Sequence, residues 1–124
     1  MTAGFGSTLW AIGGGHIPLR STGAEPEFTS RDQLSLLNTG DEEARIAITI
    51  HHAHREPVGP YELKLGGRRV RRVRFNDLIF PEAIPLGVPF GAIVRASVPI
   101  VVQVTRLDSG HAEASWMGTM AHPA

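Results

Sequence analysis

The 124-residue chain has no cysteine, one tyrosine, two tryptophans and a formal net charge of zero. Without cysteine, neither a disulfide framework nor thiol chemistry is open to it. Without net charge, no global field recruits nucleic acid, so any charged surface acts locally. Aromatic rings for stacking bases are few, and the five phenylalanines mostly stand where a core needs them. Long hydrophobic runs are missing as well. The uncharged stretch from Thr2 to Leu19 lacks a basic start and is broken by Gly4, Gly6, Gly13, Gly14, Gly15 and Pro18, which makes it a poor signal peptide or membrane span. The expected compartment is therefore the cytoplasm. The length fits one domain over residues 1–124, able to bury roughly two thirds of its unfolded surface.

What is present is organised around Gly66 to Leu78, where five arginines fall within the seven positions Arg68 to Arg74. The Gly66-Gly67 pair lies between two strand-like runs, and a two-residue turn there needs the positive φ that glycine adopts freely, which predicts a hairpin. Beyond it, Val73 and Phe75 share one strand face and Arg72 and Arg74 the other. Arg69 and Arg71 are in phase with Val73, so they point inward unless a sheet edge or a partner chain receives them.

Period-two alternation recurs along most of the chain, and the predicted fold is all-β, an antiparallel β-sandwich of about eight or nine strands. Ser7 to Ile12 reads as a strand stopped by the glycine triplet. Gln33 to Asn38 places Leu34 and Leu36 on one face, and Ala44 to His52 sets Ile46, Ile48 and Ile50 against Arg45, Ala47, Thr49 and His51. Tyr61, Leu63 and Leu65 alternate with Glu62 and Lys64. Ala92 to Ser97 and Ile100 to Leu107 read as a second hairpin about Val98 and Pro99, and residues 114–121 as a last strand. The predicted core is Trp10, Leu34, Leu36, Ile46, Ile48, Ile50, Leu63, Val73, Phe75, Val94, Val102 and Val104. Pro81, Pro85 and Pro89 forbid regular structure between Asn76 and Gly91, yet Phe80, Ile84, Leu86, Val88 and Phe90 make this loop apolar, as expected of a segment packed on a sandwich end or a neighbouring subunit.

No catalytic or cofactor motif accompanies this pattern. Gly4-Phe5-Gly6 and Gly13-Gly14-Gly15 lack the strand-to-helix context of dinucleotide fingerprints, and there is no phosphate loop or nucleophile elbow. Of His51, His52 and His54, the pair His52 and His54 shares one strand face but lacks a third ligand nearby, and all three are read as solvated, so neither metal nor cofactor is expected. The arginine strand admits, in descending order, a solvated face paired with Asp41, Glu42 and Glu43, a docking surface for an acidic partner, and a nucleic-acid patch.

The order and spacing of several blocks carry a resemblance. Leu9-Trp10-Ala11-Ile12, Glu25-Pro26 with Phe28, Leu37-Asn38 before Gly40-Asp41-Glu42, and Glu56 to Tyr61 are joined by Arg68-Arg69, Val73 to Leu78, Val98 to Gln103 and Thr105 to Ser109. Together these blocks resemble the sensory rhodopsin transducer family, small soluble partners of a cyanobacterial sensory rhodopsin. The resemblance implies a sandwich protomer similar to carbohydrate-binding modules, a ring-like homotetramer, and docking on the cytoplasmic side of a membrane receptor. It implies a non-enzymatic signalling protein. The departures are the histidines at 51, 52 and 54, the extra Arg71 and Arg72, and the Trp116 tail. A module for a small polar, carbohydrate-like ligand is the alternative, and a DNA-binding regulator ranks last.

Ligand or partner contact is placed at Trp10, Glu25, Arg74, Asn76, Gln103 and Arg106, whose guanidinium, amide, carboxylate and indole groups suit a shallow polar site. The same residues also fit an internal network with Arg106 paired to Glu25 or Asp108, and that structural reading takes precedence. Contacts between subunits are placed at Arg69, Arg71, Phe80 and Phe90.

Overall fold

The computed structural model describes residues 4–19, 30–108 and 115–124. Among these residues eight antiparallel strands form the fold: β1 (Ser7–His16), β2 (Arg31–Asn38), β3 (Ala44–His52), β4 (Val58–Leu65), β5 (Arg69–Arg74), β6 (Pro89–Asp108), β7 (Ser115–Met120) and β8 (His122–Pro123). One short 3-10 turn, Phe75–Asp77, follows β5. The all-β reading holds, and so does the assignment of a strand to the tail.

The 20-residue β6 organises both layers. Its first half pairs with β1 and β3, and its second half with β2 and β7. One layer therefore runs β4-β3-β6-β1-β8 and the other β5-β2-β6-β7, with β6 common to both. Val98 and Pro99 do not turn the hairpin expected from the sequence; they lie where one strand passes from layer to layer. Alternation on either side of a proline looks the same in both cases, and only the pairing partners distinguish them. Trp10 secures the passage, its indole Nε1 donating to the carbonyls of Ser7 and Ile100 at 3.0 Å each.

The Gly66-Gly67 expectation is corrected in the same way. β4 pairs with β3 and β5 with β2, so this link crosses between layers instead of closing a hairpin. The left-handed residue is Arg68, at φ 54°. Gly67 serves a close approach: a Cβ there would overlap the carbonyl oxygen of Asp41. Asn38, fully buried, stitches this crossover to the one between β2 and β3. Its Nδ2 donates to the carbonyls of Glu42, Leu65 and Gly66, and its Oδ1 accepts from the Gly40 amide at 3.1 Å.

The glycine triplet does not stop β1 either. The strand continues to His16 through a register shift between Ile12 and Gly15, and Gly15 lies against the ring of Phe90, where a side chain would collide. Eleven of the twelve expected core residues are buried, and Leu63 packs half-buried against them. The core also takes Ile17, Tyr61, Ile84, Phe90, Ile100 and Leu107. Phe90, expected at a subunit contact, is instead an interior ring, edge-on to Phe75 at a centroid distance of 4.9 Å.

Candidate functional site

The six residues placed at a site from sequence do not converge. Trp10 is a core residue, 4% exposed, with its N–H committed to backbone. Glu25 lies outside the described residues. Arg106 sits at the rim between the layers, Arg74 and Gln103 lie on the outer face of the β5-β2-β6-β7 layer, and Asn76 lies in the 3-10 turn that follows β5.

At the rim, Arg106 grips Asp32 in a two-pronged ion pair. Its Nε donates to Oδ1 at 2.7 Å and its Nη2 to Oδ2 at 3.0 Å, while Nη2 also donates to the Gly14 carbonyl at 2.7 Å. The His16 amide donates to Asp32 Oδ2 at 2.7 Å. Asp32 is fully buried, and its hydrogen bonds raise the Arg106 guanidinium above its ordinary pKa, against a smaller opposing effect of burial. Among the described residues the ion-pair partner of Arg106 is thus Asp32, with the charge of Asp108 adding to its hold on the guanidinium. The sequence did carry a signal: Asp32 is in phase with the inward Leu34 and Leu36, and a carboxylate in that phase requires a cation. The neighbouring cleft, about 110 Å³ and lined by Gly14, Val104, Arg106, Gly118 and Thr119, has room for only a small polar group.

The second locus is β5. Opposite residues in register share a face, so Arg72-Ser35-Gln103 and Arg74-Gln33-Thr105 form two rows across the outer face. Arg31 shares this side, and burial together with the charge of Arg74 holds its guanidinium below the ordinary value. Arg74 Nε lies 3.2 Å from Asp77 Oδ2. Asn76 Nδ2 donates to the Ser30 carbonyl at 3.1 Å, and its buried Oδ1 has no partner among the described residues. Gln103 is exposed.

Arg69 and Arg71 keep the inward phase, opposite the buried Asn38 and Leu36, yet both are exposed. They lie at the open side of the sandwich, where the β4 edge receives one of them: Arg71 Nη1 donates to the Lys64 carbonyl at 2.7 Å. Arg69 turns back to the Arg68 carbonyl at 3.1 Å. Of the acids expected to pair with this strand, Asp41 reaches Arg68, at 3.6 Å. Among the described residues, no carboxylate pairs with Arg69, Arg71 or Arg72.

Two further surfaces stand out. The loop between β5 and β6 exposes Ile79, Phe80, Leu86 and Val88, with Phe80 at 80%. A groove of about 500 Å³ runs over the outer face of β3 and β4, lined by Arg45, Ala47, Glu62 and Lys64. No helix among the described residues is long and apolar enough to cross a membrane, and no group of three or more His, Asp or Glu side chains there is placed to hold a metal.

Known proteins share this architecture. A solved structure of the Anabaena sensory rhodopsin transducer is 45% identical and superposes with a TM-score of 0.76, covering 86% of this chain and all of that one. The crystal structure of Thermotoga maritima 1070 is 29% identical, with a TM-score of 0.83 and 96% of each chain covered. Among curated proteins, none matches the chain at a significant level. The family model described as Anabaena sensory rhodopsin transducer matches residues 5–123, and the chain therefore belongs to that family.

Proposed function

We propose that the protein is a non-enzymatic, cytoplasmic signalling partner that docks on the cytoplasmic face of a membrane receptor. The observation that carries this reading is the match to the transducer family over residues 5–123, backed by the 45% identity to the Anabaena transducer. The surface fits it. It exposes a basic strand edge and an apolar loop, as suits a protein that meets another protein. The working assembly is a homotetramer, with Phe80 and its apolar loop neighbours covered between copies.

The test is sedimentation of the purified protein with membrane vesicles of defined sidedness. Binding to inside-out vesicles, weakening as salt rises and lost after protease shaving of the cytoplasmic face, is the expected result. Equal binding to both orientations, or none, overturns it. The small cleft at Gly14 and Arg106 supports a second reading, a binding module for a small polar ligand. A thermal shift on adding sugars or polyols in place of vesicle binding selects that reading.

A further inference from the structure

We propose that the outer edge of β5 is a docking edge for an extended, acidic segment of a protein partner, which adds to the sheet as one more strand. This rests on the signalling-partner reading and names where and how the contact is made. Among the described residues β5 pairs only with β2, so the opposite side of its backbone presents unpaired amide and carbonyl groups. Such an edge is a template for main-chain pairing.

The side chains select the occupant. From Arg69 to Arg74 the strand reads Arg-Val-Arg-Arg-Val-Arg, with Arg69 and Arg71 on the inner side and Arg72 and Arg74 on the outer. An added strand places its residues directly opposite, where unlike charges stabilise and like charges destabilise the pair. A second copy of β5 would set arginine against arginine, which excludes edge-to-edge pairing of this strand with itself. The matching segment carries acids opposite the arginines and apolar residues opposite Val70 and Val73. Val70, 64% exposed and in register with the exposed Leu37, marks a small apolar seat between the cationic positions. The two-fold symmetry of the pattern lets one acidic sequence fit in either strand direction.

The probe is the capped hexapeptide Glu-Val-Glu-Glu-Val-Glu, titrated into the full chain by calorimetry, with two derivatives N-methylated at alternate amides in the two possible sets. Main-chain pairing uses only one set. The expected result is saturable binding that one methylated derivative loses by about tenfold or more while the other keeps it within about twofold. Arg72→Glu with Arg74→Glu abolishes binding with an unchanged circular dichroism spectrum, and where that variant misfolds the methylation pattern in the unaltered protein still decides. Equal behaviour of the two derivatives, absence of binding, or displacement of the peptide by mixed-sequence duplex DNA with a steep salt slope overturns the proposal. Peptide binding without vesicle binding leaves the edge site and removes the receptor reading. Vesicle binding unaltered by the double substitution does the reverse.

Discussion

Arg106 on β6 and the arginines of β5 belong to one layer, on either side of β2, yet their surroundings differ in kind. Arg106 meets a fully buried carboxylate and a backbone carbonyl, and every bond in that corner closes within the chain. Arg69, Arg71 and Arg72 face water, with no carboxylate paired to them among the described residues. The difference shows that arginine content alone assigns no role. A guanidinium between two sheets secures the fold, whereas those of Arg69, Arg71 and Arg72 on the edge strand keep their charge uncompensated by any carboxylate among the described residues.

Removing one partner of the buried pair breaks this contrast most severely. Arg106→Met strands the Asp32 carboxylate, and unfolding free energy should fall by about 3–5 kcal/mol, read by urea titration, while peptide binding per folded molecule is unchanged. Replacing Asp32 and Arg106 together by apolar residues should recover much of that loss. Next comes the crossover. Asn38→Leu leaves the carbonyls of Glu42, Leu65 and Gly66 without its amide and should cost about 1–3 kcal/mol, visible as a lower melting temperature.

At the β5 edge the expected order inverts: Arg72→Glu should change stability by no more than about 0.5 kcal/mol and yet weaken acidic-peptide binding about tenfold. The smallest effect concerns Tyr61, whose hydroxyl donates to the Glu82 carbonyl at 2.6 Å. Burial, with the nearby Glu82 charge adding to it, raises this phenol above its ordinary 10.0. Its folded-state pKa exceeds the unfolded one, so its contribution is complete below pH 10 and is lost as pH rises from there through the folded value. Tyr61→Phe should flatten the alkaline limb of the stability profile at a cost of about 1 kcal/mol near neutrality.

The strands were legible because alternation is local. Ile46, Ile48 and Ile50 declare an inward face in any sheet, and β3 ends where its pattern does. Pairing is not local, which is why the 66–67 link and the 98–99 passage both read as hairpins when each carries the chain between layers. The glycine triplet misled for a related reason: Gly15 makes room for Phe90, a residue distant in sequence, and marks no strand end. Within the candidate site, Arg74 and Gln103 share the outer face of one layer without meeting Arg106, and Asp32 is legible only through its phase with Leu34 and Leu36, which places it inside. An inward acid announces a cation without saying which of the chain's arginines supplies it.

The contrast between the two arginine regions meets its most direct test in hydrogen exchange of the full chain with and without the acidic hexapeptide. Exchange should slow at amides within Arg69–Arg74 and stay unchanged around Asp32, Gly14 and Arg106, because a strand added at the edge protects only the groups it pairs. Protection confined to the cleft beside Gly14 and Arg106, with β5 exchanging as before, would contradict the account.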